Sequence, residues 1–204
     1  GAVVTCAGPF STEQMSNRVW ISCADLTVEA GGVIHADKRG YGAFYGPGLA
    51  GKTSLGDYRG GAHGGRAPAY SGGEQTPYGS LTEPTAPGTG GTGQKSGSPG
   101  ADASAGGGAI RIDATGEVRV DGRISADGAP VSTWYACAGS GGSVWITCRT
   151  ISGSGTVSAS AVDYPPSSGQ NSQFQGGSGG RIAVHYDSTA QHAYDDSGCT
   201  VRFA

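Results

Sequence analysis

Residues 106–128 read GGGAIRIDATGEVRVDGRISADG, and this stretch decides the fold class. Ile110, Ile112 and Ala114 alternate with Arg111 and Asp113, Val118 and Val120 alternate with Arg119 and Asp121, and Ile124 and Ala126 flank Ser125. A side-chain period of two is the mark of strands with one buried face. Breaks at Thr115-Gly116 and at Gly122 divide the stretch into two or three short strands joined by tight corners, not one long hairpin.

The rest of the chain repeats the pattern. Residues 18–23 (RVWISC), 109–114 (AIRIDA), 143–148 (SVWITC) and 181–186 (RIAVHY) share an opening strand. Residues 32–37 (GVIHAD), 122–127 (GRISAD) and 155–160 (GTVSAS) share a closing one, although Ala161-Val162-Asp163 departs from the ADG turn expected there. Residues 1–6 (GAVVTC) resemble the closing strand alone, and Val201 and Phe203 are the candidate closing pair of the last block. Aligned, Val19, Ile110, Val144 and Ile182 form one inward column, Ile21, Ile112, Ile146 and Val184 a second, and Cys23, Ala114, Cys148 and Tyr186 a third. Stacked coils need such columns, because each coil has a face that it cannot bury alone. The expected fold is all-β: a parallel β-helix, or solenoid, with coils about 4.8 Å apart. It forms one domain over residues 1–204, with long glycine-rich loop insertions, the largest over residues 40–108.

Composition agrees with this and narrows the functions open to the chain. The 204 residues suffice for one sizeable core. Gly at 40 and Pro at 10 approach the range of low-complexity sequence, but nine Tyr, three Trp and five Cys are not what a solvated linker needs. Val, Ile and Thr dominate over Leu and Met, which excludes a helix bundle. With 13 basic against 16 acidic residues and no basic run, nothing steers the chain to a nucleic acid. No apolar stretch is long enough to span a bilayer, so membrane insertion is not expected. A first residue that is Gly marks a processed product or an excised piece of a longer chain. Tyr41, Phe44, Tyr45, Tyr58, Tyr70 and Tyr78 within the insertion argue that it folds onto the flank of the coils instead of forming a loose tether.

A resemblance follows from the glycine motifs. His63-Gly64-Gly65, Tyr78-Gly79-Ser80, residues 87–91 (PGTGG), 106–112 (GGGAIRI), 139–146 (GSGGSVWI) and 176–184 (GGSGGRIAV) together resemble the glycine-rich β-solenoid repeats of very large extracellular and surface proteins of bacteria and unicellular eukaryotes. The resemblance covers about residues 60–186 and implies a secreted, non-catalytic structural role. It brings no catalytic residues to carry over.

Several motifs invite sharper chemistry. Residues 46–53 (GPGLAGKT) match the P-loop pattern letter for letter, but they lack the preceding buried strand and following helix that make amide groups converge on phosphate. Asp113 and Asp121 are candidates for the two carboxylates of a glycosidase or polysaccharide lyase, which act across a sugar at about 5–9.5 Å. Alternating charges on a solvated sheet face explain them more simply. His185, Asp187, His192, Asp195 and Asp196 follow no zinc or calcium spacing and read as a polar end turn. Trp20 and Trp145 share an outward position, which suits a platform for a sugar ring or burial beneath a glycine-rich loop.

Five cysteines without zinc-like spacing point to an oxidising compartment, with Cys6, Cys23, Cys137, Cys148 and Cys199 as disulfide candidates and one of them left over. Cys23 and Cys148 should not pair with each other, since two coil spacings exceed the ~7 Å Cα limit. There is no Asn-linked sequon, and the Thr/Pro run of residues 81–92 is a compositional candidate for O-linked sugars.

The sequence thus leads to a secreted structural protein at the cell surface or outside the cell, a β-helical subunit or segment of a filament or surface rod. Its expected partner is itself, end to end, because unpaired strand edges are templates for addition. No catalytic residue, cofactor or metal is expected. The alternatives are a carbohydrate-binding adhesin module and, behind it, a polysaccharide lyase or hydrolase.

Overall fold

The computed structural model describes residues 1–11, 18–49, 58–69, 75–93, 104–131, 136–161, 176–195 and 202–203. Within residues 106–128 the chain turns at Thr115-Gly116 and at Gly122, giving β5 (Ala109–Ala114), β6 (Glu117–Val120) and β7 (Arg123–Ser125). The same figure precedes it as β2 (Val19–Cys23), β3 (Leu26–Val28) and β4 (Val33–His35), and follows it as β8 (Ser143–Thr147), β9 (Thr150–Ser152) and β10 (Thr156–Ser158). Before these lies β1 (Val3–Thr5), and after them β11 (Arg181–His185), α1 (Ser188–Asp195) and β12 (Arg202–Phe203).

Equivalent strands pair in parallel. Opening strands form a sheet ordered β11-β8-β5-β2, middle strands one ordered β3-β6-β9, and closing strands one ordered β1-β4-β7-β10-β12. The fold is therefore all-β with parallel sheets, and α1 is the one helix among the described residues. Val19 stands opposite Ile110, Ile110 opposite Val144, and Val144 opposite Ile182, while Ile21, Ile112, Ile146 and Val184 make the second column. The third column begins as expected with Cys23 opposite Ala114. It does not reach Tyr186, which lies past the end of β11 and is exposed. The lone strand of residues 1–6 pairs with β4 in the closing sheet, and Phe203 stands opposite Val157.

Burial follows these columns. Ile110, Ile112, Val118, Val120, Ile124, Val144, Ile146 and Val157 are almost wholly shielded from water. Each such side chain contributes about 1.5–3 kcal/mol over its exposed state. Ile21, Leu26, Ile182 and Val184, on the outermost strands of their sheets, are only partly covered.

Outside the sheets the glycine-rich residues form a layer with a different rule. Around residues 88–92, Gly88 N–H donates to Gly107 O and Gly91 N–H to Ser104 O, so one neighbour is met twice, three residues apart. A second neighbour donates from Ser140 to Thr89 O and from Cys137 to Thr92 O, and a third from Tyr41 to Gly88 O and from Phe44 to Gly91 O. Three flanking segments, each recurring every third residue, fit the three-residue turn of a polyproline II chain, which has no internal hydrogen bonds and so bonds outward. Such closeness excludes side chains: a Cβ on Gly91 would lie 1.8 Å from Cys137 O, and one on Gly142 1.9 Å from Gly108 O. The layer takes in residues 136–142 and 176–180, which lead into β8 and β11, as well as residues from the expected insertion.

Corner carboxylates tie one round to the next. Asp25 accepts from Glu117 N–H at 2.8 Å, Asp121 from Ser154 N–H at 3.1 Å, Asp37 from Asp127 N–H at 2.9 Å and Asp127 from Ser160 N–H at 2.8 Å. The expected polar end turn is instead α1. Asp187 caps it by accepting from Thr189 N–H at 2.9 Å and Ala190 N–H at 3.1 Å, which satisfies two amides at the helix start.

Candidate functional site

The most distinctive surface feature lies on the outward face of the opening sheet. Trp20, Arg111 and Trp145 occupy one column there, because parallel in-register strands place equivalent side chains directly over one another. The Arg111 guanidinium lies between the two indoles, 4.9 Å from the Trp20 ring and 4.2 Å from the Trp145 ring. Asp113 fixes the arrangement by accepting from Arg111 Nε and from Trp20 Nε1, both at 2.8 Å. Cation–π stacking of this kind favours a charge held over the ring face. His185 meets the Trp145 ring edge-on at 6.0 Å, and Trp145 Nε1 is buried with no hydrogen-bond partner.

The two tryptophans are thus in line, as their outward positions suggest, but Arg111 separates them and they form no continuous platform. Trp20 is exposed, so the cover of a glycine-rich loop is not found over it.

Of the two candidate carboxylates, Asp113 sits on the opening sheet beside Arg111 and Trp20, and Asp121 at the corner after β6, paired with Arg119 at 2.7 Å. Arg119 and then the Ser154 amide hold the Asp121 carboxyl below its ordinary pKa. In the P-loop match, Gly48 N–H donates to Thr89 Oγ1 at 3.1 Å and is turned inward, while residues 50–53 lie outside the described residues. Within the Thr/Pro run, Thr89 and Thr92 are fully buried, which rules them out as sugar acceptors, and Thr82 is exposed. Among the described residues no group of three or more His, Cys, Asp and Glu side chains is placed to hold a metal ion; Asp196 lies outside them.

Cys6, Cys23 and Cys148 are free thiols, so the expected disulfides do not join them. The strand order accounts for part of this, because β5 lies between β2 and β8 and puts Ala114 beside Cys23. Burial pushes the Cys148 thiol up to about 11 and that of Cys137 up to about 12, which keeps both protonated and unreactive at neutral pH. Burial also raises the Cys6 thiol. Cys199 lies outside the described residues.

One cluster has no counterpart among the candidates drawn from sequence. His63 is fully buried in the glycine-rich layer, with Nδ1 donating to Gly141 O at 2.9 Å and its ring 4.7 Å from that of Tyr78. Thr89 Oγ1 donates to the Tyr78 hydroxyl at 2.9 Å, that hydroxyl donates to Pro87 O, and Arg181 Nε donates to Tyr78 O at 2.9 Å. Burial lowers the His63 pKa to about 4, so the ring is neutral and serves as an internal strut. The glycine motif around His63 marked its segment but not its burial.

No protein family, curated protein or solved structure matches this chain. Among the described residues no helix is long and apolar enough to cross a membrane.

Proposed function

We propose that the three sheets are the faces of one parallel β-helix, and that the chain is a structural module of an extracellular filament or surface rod that associates end to end. The observation that carries this reading is the register: opening, middle and closing strands recur in the same order through three successive rounds, and β1, β2 and β3 end their sheets at one side. Unpaired parallel edges with partly covered apolar columns are templates for further strands. The outward charges support the reading as well, since Asp25, Asp37, Asp121 and Asp127 are engaged in joining rounds. The glycine-rich repeats resemble those of large surface proteins, which is consistent with a role outside the cell. The reading assigns no catalytic residue, cofactor or metal.

Imaging of negatively stained purified protein over a rising concentration series tests it. Particles that lengthen along one axis by whole multiples of the monomer support the proposal, and monomers alone at every concentration contradict it. The exposed Trp20 ring supports a second reading, a carbohydrate-binding module. Glycan-array binding that Trp20→Ala abolishes would support that alternative.

A further inference from the structure

The sheets end differently on their two sides. On one, α1 packs against β9 and closes the middle sheet: Gln191 Oε1 accepts from Ile151 N–H at 2.8 Å, and Nε2 donates to Ile151 O at 3.1 Å. The other end is stepped. There β1 lies one strand beyond β4 in the closing sheet, and Phe10 bridges to Tyr41 in the glycine-rich layer. In the opening sheet, among the described residues, no strand lies beyond β2.

The step leaves one face of Trp20 free. Arg111 lies 4.9 Å and 4.2 Å from the two indoles, each close to one strand spacing of about 4.8 Å, so the ring faces look along the column. Arg111 backs the Trp20 ring on one side, and Trp20 is 62 % exposed. Its side chain stands out from the sheet, so the free face lies to the side of the β2 backbone edge. The bond from Nε1 to Asp113 fixes the indole, and a ring so held loses little freedom when a ligand stacks on it. Strand alternation sets Arg18 and Ser22, both exposed, on the same outward face, about 6.6 Å to either side of Trp20. The arginines and carboxylates of this face are Arg18, Arg111, Arg181 and Asp113. Arg111 pairs with Asp113 and Arg181 donates to Tyr78 O, which leaves Arg18 as the cation free for a ligand.

We propose that Trp20, Arg18 and Ser22 form a binding site for an acidic glycan, with the indole stacked on a β-linked uronate. The proposal rests on the carbohydrate-binding reading above and names its ligand class. A pyranose carries C–H bonds on its faces and oxygens round its rim, and a β-glucuronate, with every substituent equatorial, offers a face flat enough for an indole. Its carboxylate accepts from the Arg18 guanidinium, and a rim hydroxyl on the other side bonds to Ser22 Oγ. The Asp113 carboxylate is already neutralised, since Arg111 Nε and Trp20 Nε1 both donate to it at 2.8 Å. A neutral sugar would stack equally well but leave Arg18 without a partner.

Isothermal titration calorimetry with β-1,4-linked triglucuronate and with cellotriose, which differ only at C6, tests this on the wild-type chain, Trp20→Ala, Arg18→Gln and Arg18→Lys. Circular dichroism of each variant confirms the fold, and both substituted side chains are exposed. Triglucuronate should bind about tenfold more tightly than cellotriose, and less so as salt is raised. Trp20→Ala should abolish binding of both trimers. Arg18→Gln should reduce the affinity for triglucuronate to that for cellotriose, and Arg18→Lys should cost less. Equal affinity for the two trimers, or no effect of Arg18→Gln, overturns the acidic ligand and leaves a carbohydrate-binding module standing. Triglucuronate binding that survives Trp20→Ala and is matched by polyglutamate overturns the site, since charge alone then accounts for it. Binding of neither trimer overturns both the site and the reading beneath it.

Discussion

The sheets and the glycine-rich layer alternate along the chain, yet they are held by opposite means. In the sheets each position is set by the side chain, and the columns through Ile110 and Ile112 exclude water by volume. In the layer the closest approaches are set by the lack of one: Gly91 and Gly142 leave room for carbonyls of neighbouring segments where a Cβ would stand. Side-chain burial drives the first, and backbone hydrogen bonding to three flanks satisfies the second. Among the described residues, the strands and the glycine-rich segments both bond to neighbouring segments, with a two-residue period in the first and a three-residue period around residues 88–92 in the second.

The comparison breaks most sharply at Gly91. Gly91→Ala forces a methyl into Cys137 O and should cost at least about 3 kcal/mol, so that urea unfolding shows little or no folded protein. In the sheets the damaging change is the reverse. Ile112→Ala removes volume from a fully buried position and should lower the unfolding free energy by about 2–5 kcal/mol in the same assay.

Acid separates the two regions next. The unfolded chain protonates His63 near pH 6.5, whereas the folded layer holds its pKa at about 4, first through burial. Below pH 6.5 the unfolded state therefore binds the extra proton, and stability falls as pH drops from 6.5 towards 4, by roughly 3 kcal/mol in all. In His63→Gln that part of the slope should vanish, leaving a flatter curve of melting temperature against pH across the window. An unchanged slope would place the loss elsewhere.

A smaller effect probes the closed sheet edge. Gln191→Ala leaves Ile151 N–H and C=O without this partner and should cost about 1–3 kcal/mol, with faster amide exchange at Ile151 than in the wild-type chain. The smallest change sharpens the contrast within the layer itself. Nothing lies within 4 Å of a Cβ built on Gly179, so Gly179→Ala should shift stability by no more than about 0.5 kcal/mol.

Much of the sheet architecture was legible in the sequence, because a period of two survives in every opening strand and aligning the repeated blocks fixes the register. The middle strands around β6 were not extended to Leu26–Val28 and Thr150–Ser152, whose three residues give too short a run for alternation to stand out. The helix was missed because Ser188–Asp195 carries few apolar residues; its signal was the capping Asp187. The equivalence of Trp20 and Trp145 was visible, and the same alignment held Arg111 in their column, but pairing the tryptophans without the intervening strand suggested a platform where there is a stack. The order of the glycine-rich layer could not be read locally, since its bonds join residues as distant in sequence as Gly61 and Ala138.

Residue-resolved amide hydrogen exchange of the folded protein tests the account most directly. The amides of Gly88, Gly91, Gly107 and Gly141, each donated to a carbonyl of another segment, should be protected to a degree comparable with those of β5 and β8. Exchange of these glycine amides at the rate of an unstructured chain, with the strands still protected, would contradict it and reduce the layer to a set of tethers.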